Sequence, residues 1–108
     1  MTLHASSVGR PAISVIIPFR NAAPYVERLL ESLCAPQTAE QWQIIAVDNG
    51  STDQSRTLLG GFIGRLPLTI IDASARPGPS FARNVGARVA AADKLLFIDA
   101  DDEVAPGY

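Results

Sequence analysis

The chain has 108 residues, of which 47% are hydrophobic and 19% are charged, and its formal net charge is −2. This length and composition predict one small globular domain and exclude a disordered chain. Because the chain has no excess of basic residues, we do not expect it to bind nucleic acid.

The cysteine and histidine counts exclude further classes of protein. Cys34 is the single cysteine, so the chain cannot form an internal disulfide or a cysteine-based zinc cluster. His4 is the single histidine, which argues against a Ser-His-Asp triad. Residues 1–12 lack the apolar core of a secretory signal, and we interpret them as a flexible arm. We therefore expect a cytoplasmic protein, with contact with the inner face of the membrane left open.

The first half of the chain predicts strand, helix, strand and helix. The run "ISVIIP" at residues 13–18 indicates a buried strand. Residues 21–36 predict a helix with Pro24 in its first turn, Pro36 at its end and Cys34 on its apolar face. A second strand follows at residues 42–48. The next helix is expected to begin with Ser51 or Thr52 as N-cap and to end between residues 59 and 65.

The second half repeats the alternation. Residues 68–72 predict a third strand, residues 80–92 a helix, and residues 94–99 a fourth strand. The order is therefore β-α-β-α-β-α-β, and each strand is apolar on both faces. This pattern predicts a parallel sheet of about four strands with helices on both faces, which is an α/β fold.

Acidic residues end three of the four predicted strands: Asp48, Asp72 and Asp99. Ligands of open parallel sheets bind beyond the carboxyl ends of the strands, so these side chains should share one rim. Aspartate also caps helices after strands, and for Asp72 alone capping is the favoured interpretation. For the three residues together, a binding site is favoured.

The fourth strand leads into "DAD", in which Asp99 and Asp101 stand two residues apart. In extended backbone these side chains face the same way, with Cα atoms about 6.5–7 Å apart. Mg²⁺ and Mn²⁺ prefer oxygen ligands and commonly take one or two carboxylates together with phosphate oxygens. The spacing therefore suggests a metal–diphosphate site, and the alternative is a solvated acidic loop.

Arg83 lies in the first turns of the helix that precedes the fourth strand. Helix N-termini favour phosphate, and an arginine there can pair with it. The alternative is a structural salt bridge to one of the aspartates of the rim, and both roles are compatible. Arg76, in the loop before this helix, is a second candidate.

Four segments, "SVIIPFRN", "IIAVDNGSTDQS", "GPSFARNVG" and "LLFIDADDEV", together resemble the nucleotide-binding half of family 2 glycosyltransferases. The resemblance implies the Rossmann-like GT-A fold and a nucleotide-sugar donor site over residues 13–108, truncated after the Asp-x-Asp motif. It also implies an inverting enzyme of hexosyltransferase type that uses a UDP- or GDP-sugar and Mn²⁺ or Mg²⁺. The sugar and the acceptor are not implied.

The resemblance also assigns roles to single residues. Pro18 and Phe19, with Asn21 just beyond them, match the segment that lines the nucleotide pocket. Asp48 and Asn49 match an acidic pair that reads the base and ribose. The remaining matches are Arg83, near the phosphates, and the motif residues Asp99 and Asp101, of which the later carboxylate binds the metal.

Two departures from the family pattern affect these expectations. The second residue of the acidic pair is commonly Asp and here is Asn49, which puts the choice of base in doubt. The family's catalytic base lies downstream of Asp-x-Asp, and nothing before Tyr108 can be assigned to that role. We therefore expect that the 108-residue chain alone does not transfer sugar.

Three other hypotheses remain open. An aspartyl-nucleophile phosphatase also places Asp-x-Asp after an apolar strand, but on its first strand, and Glu103 stands where Thr or Val is usual. A non-catalytic nucleotide-binding or scaffold module could retain the fold alone. Finally, an uncovered strand edge could make the chain self-associate.

Overall fold

The computed structural model describes residues 11–34 and 42–101, and for Asp101 it describes the backbone only. The elements are β1 (Ile13–Arg20), α1 (Ala23–Cys34), β2 (Trp42–Asp48), α2 (Ser55–Gly60), β3 (Leu68–Asp72), α3 (Pro79–Val89), β4 (Lys94–Phe97) and β5 (Ala100–Asp101). Most of the predicted arm, the predicted helix end at Pro36, and Asp102 and Glu103 lie outside the described residues.

The strands form one sheet in the order β3-β2-β1-β4, and β5 pairs with the end of β1. All of the pairings are parallel, as the sequence predicts. The chain therefore adds strands outward from β1 to β3 and then returns to the other side of β1. That reversal between β1 and β4 is the topological switch point at which doubly wound sheets bind ligands.

Helices cover both faces of the sheet, which confirms the α/β prediction. Alternate residues of β1 point to opposite faces. Val15, Ile17 and Phe19 enter the cluster that includes Val26 and Leu30 of α1. Ile16 enters the second cluster, with Ile45 and Val47 of β2 and Ala82 of α3. The inner strands β1 and β2 are thus buried between two apolar layers.

Among the predicted boundaries that the structure corrects, two lie next to the carboxyl ends of the strands. Helix α2 begins at Ser55 rather than just after Ser51 or Thr52, because Ser51 and Thr52 bond Asn21 instead of capping the helix. The fourth strand ends at Phe97 rather than Asp99, and the chain pairs again only at β5.

The apolar residues of β4 are the largest departure from the predicted burial. Leu95, Leu96 and Phe97 are 39%, 47% and 42% exposed, although the segment is apolar on both faces. Strand β4 lies at the edge of the sheet, and within residues 11–34 and 42–101 no element covers it. The apolar pattern thus identified the strand correctly but not its environment.

No helix within the described ranges is long and apolar enough to cross a membrane.

Helix α3 approaches the sheet closely at Gly86. A Cβ atom at this position would lie 2.5 Å from Cγ2 of Ile16 and 3.0 Å from Cγ2 of Val47. Both neighbours are fully buried, so neither can move aside without disturbing the core. The absent side chain therefore sets the distance between α3 and the sheet.

Gly86→Ala should destabilise the fold by about 1–3 kcal/mol, because the added methyl overpacks the core. Gly60→Ala is the matched control, since a Cβ at Gly60 would meet nothing within 4 Å. Urea unfolding followed by circular dichroism measures both variants. Equal stability of Gly86→Ala and the wild type would contradict the close approach.

Candidate functional site

The candidate site lies at the carboxyl ends of the strands, where β1, β2 and β4 end near the switch point. The parallel register pairs Phe19 with Asp48 and Arg20 with Asp101. Asp48 is paired in turn with Asp72 of β3. The acidic residues predicted to share one rim therefore follow one another across the same edge of the sheet.

A hydrogen-bond network joins the loop after β1 to the loop after β2. Asn21 has a positive φ of 51°, and its Oδ1 accepts from the backbone N–H groups of Thr52 at 2.7 Å and Asp53 at 3.2 Å. Its own N–H donates to Oγ of Ser51 at 3.0 Å. A short amide side chain tolerates this left-handed backbone better than most residues. Asn21 therefore acts in the structure as a link between two loops of the rim.

Asp53 and Ser55 complete this link. The fully buried Oγ of Ser55 accepts from Ala22 N–H at 2.7 Å, and Asp53 Oδ2 accepts from Ala23 N–H at 3.2 Å. Asp53 Oδ1 accepts from the backbone N–H of Ser55 at 2.9 Å and also from its hydroxyl. Burial raises the pKa of Asp53, but the hydrogen bonds from Ser55 and Ala23 outweigh it and lower the pKa below its ordinary value.

Asp48 is only 4% exposed and is held from two sides. Its Oδ1 accepts from Ser51 N–H at 2.8 Å, and its Oδ2 lies 3.4 Å from Nη1 of Arg56. The Arg56 side chain is half-exposed, so this ion pair stands at the solvent boundary. Asp48 thus presents one well-anchored oxygen and one that an exposed cation faces.

Asn49 is 7% exposed and bonds the loop between β3 and α3. Its Nδ2 donates to the carbonyl oxygens of Ala73 and Arg76, each at 2.8 Å. Its Oδ1 accepts from the N–H of Gly78, also at 2.8 Å. The three bonds fix the orientation of the amide, because only its nitrogen can donate to the two carbonyls.

Arg83 and Asp99 meet at the switch point. Nη2 of Arg83 lies 3.5 Å from both carboxylate oxygens of Asp99. Their side chains are 34% and 29% exposed, so the pair is accessible to a ligand. The expected salt bridge from Arg83 to an aspartate of the rim is therefore present. Arg76 instead extends over the ring of Phe81, with 6.0 Å from its Cζ to the ring centroid.

Three other residues that the sequence predicts at the rim are Phe19, Pro18 and Asp72. Phe19 is 2% exposed and packs in the core, so only its backbone reaches the rim, where its carbonyl accepts from Asn49 N–H. Pro18 is also buried. Asp72 is exposed and accepts from the N–H and hydroxyl of Ser74, which is a contact within the loop. The helix-capping role favoured for Asp72 is wrong, because α3 begins only at Pro79 and has Gly78 as its N-cap. The nucleotide-binding roles of Pro18 and Phe19 remain predictions.

The oxygen ligands available at the end of β4 suit a hard divalent cation. Asp99 offers carboxylate oxygens at the rim, and the backbone of Asp101 stands two residues on in β5. Within the described side chains, no group of three or more His, Cys, Asp or Glu gathers into a metal site. The side chain of Asp101 lies outside that description.

The parallel sheet and its switch point define a doubly wound α/β domain with a polar rim at the carboxyl ends of its strands. Comparison with known proteins identifies the family, because the sequence model of glycosyl transferase family 2 matches residues 14–108. The chain belongs to this family.

Its relatives include the uncharacterized glycosyltransferase YibD of Escherichia coli, which is 39% identical over 94 residues. That match covers 87% of this chain and 27% of YibD. The chain spans only 27–38% of the length of the first three curated relatives that it matches.

Two solved structures show the same fold with ligands. TarS of Staphylococcus aureus in complex with UDP has a TM-score of 0.77 and 30% identity, covering 82% of this chain and 27% of that chain. The mannosyltransferase PcManGT of Pyrobaculum calidifontis, in complex with GDP-Man and Mn²⁺, has a TM-score of 0.74 and 27% identity. The latter match covers 84% of this chain and 28% of PcManGT.

The sequence reasoning missed several residues that organise the rim. Arg56 was not assigned a role, although it stands eight residues after Asp48 on the first turn of α2. The sequence pattern gives Ser55 no role and places Asp53 only in the first turn of a helix, whereas their bonds to Ala22 and Ala23 cross between loops. Only the approach of the loops in the folded sheet reveals the partners of Asp53 and Ser55.

Asp53→Asn tests the charge at the centre of the loop link. Because the folded-state pKa is lowered, the carboxylate contributes stability above the unfolded-state value, about 3.8. That contribution is lost as the pH falls through the lower folded-state value. The variant should be less stable than the wild type at pH 7, and the difference should narrow below pH ~4.

Asp93→Asn removes an exposed carboxylate before β4 and is the matched control. Thermal unfolding of the three proteins between acidic and neutral pH measures the effect. A constant difference between Asp53→Asn and the wild type across that range would show that the charge of Asp53 contributes nothing.

Proposed function

We propose that this chain is the donor-binding part of a metal-dependent, inverting glycosyltransferase that uses a UDP- or GDP-sugar. The observation that carries the proposal is the accessible Arg83–Asp99 pair at the switch point, with Asp101 two residues further along the chain in β5. An arginine and a carboxylate pair at this position offer groups for both a diphosphate and its cation. The ligands of TarS and PcManGT, UDP and GDP-Man with Mn²⁺, support the same chemistry.

Different residues of the chain would bind the cation, the phosphates and the nucleoside of the donor. Asp99 and Asp101 would hold Mn²⁺ or Mg²⁺, and Arg83 would donate hydrogen bonds to phosphate oxygens. When bound, the cation would offset negative charge that grows on the leaving nucleoside diphosphate. Asp48, anchored by Ser51, would face the nucleoside.

We assign neither the acceptor nor the catalytic base. The family resemblance implies a base downstream of the Asp-x-Asp motif and matches none of the residues before Tyr108 to it, so we expect the chain to bind a donor without transferring its sugar. A donor-dependent transfer assay that shows turnover by this chain would overturn that expectation.

Metal-dependent nucleotide binding is the central test. UDP and GDP are titrated calorimetrically into the 108-residue chain, with and without Mn²⁺. At least one should bind, with higher affinity in Mn²⁺, because the cation joins the diphosphate to the carboxylates.

Asp101→Asn should lose the increase in affinity that Mn²⁺ confers, whereas Asp93→Asn, at the amino-terminal end of β4, should retain it. If neither nucleotide binds under any of these conditions, the chain is a scaffold module that keeps only the fold.

Arg83→Gln tests the phosphate contact separately. A hydrogen bond to a charged group contributes about 1.5–3 kcal/mol, so affinity for the bound nucleotide should fall roughly tenfold or more. Arg88→Gln is the matched control, because Arg88 is exposed in the last turn of the same helix. Wild-type affinity in Arg83→Gln would mean that Arg83 serves only its ion pair with Asp99.

A further inference from the structure

We infer that Asn49 is a positioning residue of the donor site, which holds the loop 73–78 in place, and that its side chain does not read the base. This inference rests on the proposed function, because it concerns how that donor site is held. It revises the role that the family resemblance implies for the second residue of the acidic pair. The contacts of Asn49 with Ala73, Arg76 and Gly78 carry it.

The polar groups of the Asn49 side chain already have hydrogen-bond partners within the protein. An asparagine side chain has two N–H donors and one acceptor oxygen. In Asn49 both donors serve the loop, bonding Ala73 and Arg76, and the oxygen accepts from Gly78. To donate to a base, Asn49 would have to release a buried carbonyl bond. Leaving such a group unpaired is costly, so both donors are committed to the protein. Of the whole amide, only the second lone pair of Oδ1 has no partner among the described residues, in a residue that is 7% exposed.

The loop 73–78 is held at both of its ends. Its first residue, Ala73, also donates its backbone N–H to the carbonyl of Asp48 at 2.8 Å. Its last residue, Gly78, is the N-cap of α3, with a positive φ of 114°. Asn49 thus ties both ends of the loop to the end of β2, and the second end is the start of the helix that carries Arg83.

Aspartate could not make the same contacts as asparagine at position 49. A carboxylate only accepts hydrogen bonds, so Asp at position 49 would lose both donations and place its charge against two carbonyl oxygens. The bond from Gly78 alone would remain available. In this chain the loop path therefore requires the amide, and a carboxylate would release the loop.

The test measures loop protection and ligand binding in the same 108-residue variants. Asn49→Asp is the main variant, and Asn49→Ala removes the same bonds without adding charge, should the carboxylate prevent folding. Gln54→Glu is the matched control, since it makes the same chemical change at an exposed position after β2. Hydrogen exchange reports the Gly78 amide, and calorimetry with Mn²⁺ reports the affinities for UDP, GDP and inorganic pyrophosphate.

In Asn49→Asp and Asn49→Ala, the Gly78 amide should lose its protection while amides in the middle of β1 and β2 keep theirs. Affinity for every ligand that binds the wild type should fall by a similar factor, about tenfold, with unchanged ratios between them. Gln54→Glu should match the wild type in both measurements.

Three results would overturn the inference while the proposed function stands. A change in the ratio of UDP, GDP and pyrophosphate affinities would show that Asn49 reads the base. Unchanged protection of Gly78 would show that the amide does not hold the loop. Lost protection with unchanged affinity would show that the loop does not position the donor site. If the wild type binds none of the three ligands, the proposed function itself fails, and the role in donor binding fails with it.

Discussion

The parallel pairing of β1 with β2 is the constraint on which the rest of the structure depends. Seven consecutive residue pairs join the strands, from Ile13 with Trp42 to Phe19 with Asp48. Both strands are buried on both faces, so a shift of register by one residue would turn each apolar set toward the wrong layer. Because this register is fixed, the loops that follow the two strands leave the sheet side by side.

The neighbouring loops are then joined by side chains that bond the main chain. Asn21 and Asp53 link the loops after β1 and β2, and Asn49 links the loop after β2 with the one after β3. Short Asn, Asp and Ser side chains suit this task, because they satisfy backbone groups that the strands no longer pair. The polar residues of the rim therefore have structural work besides any contact with a ligand, and a motif match cannot separate the two roles.

Much of the fold was predictable because a parallel strand that is buried on both faces reads as a continuous run of apolar residues. The runs at residues 13–18, 42–48 and 68–72 were identified on that basis. The start of α2 was not, because Ser51 and Thr52 have cap-forming side chains that the loop after β1 uses instead. The exposure of Leu96 in β4 was not predictable either, since apolar periodicity does not distinguish a central strand from an edge strand.

The sequence by itself determined the α/β class, the parallel sheet and the candidate residues, because the period of apolar residues and the acidic strand ends depend on local order alone. Only the tertiary structure decided which of those residues meet. It paired Arg83 with Asp99, and it bonded the amide of Asn49 to a loop 24–29 residues away. These contacts depend on strand order and register, which bring distant segments together and which no local pattern encodes.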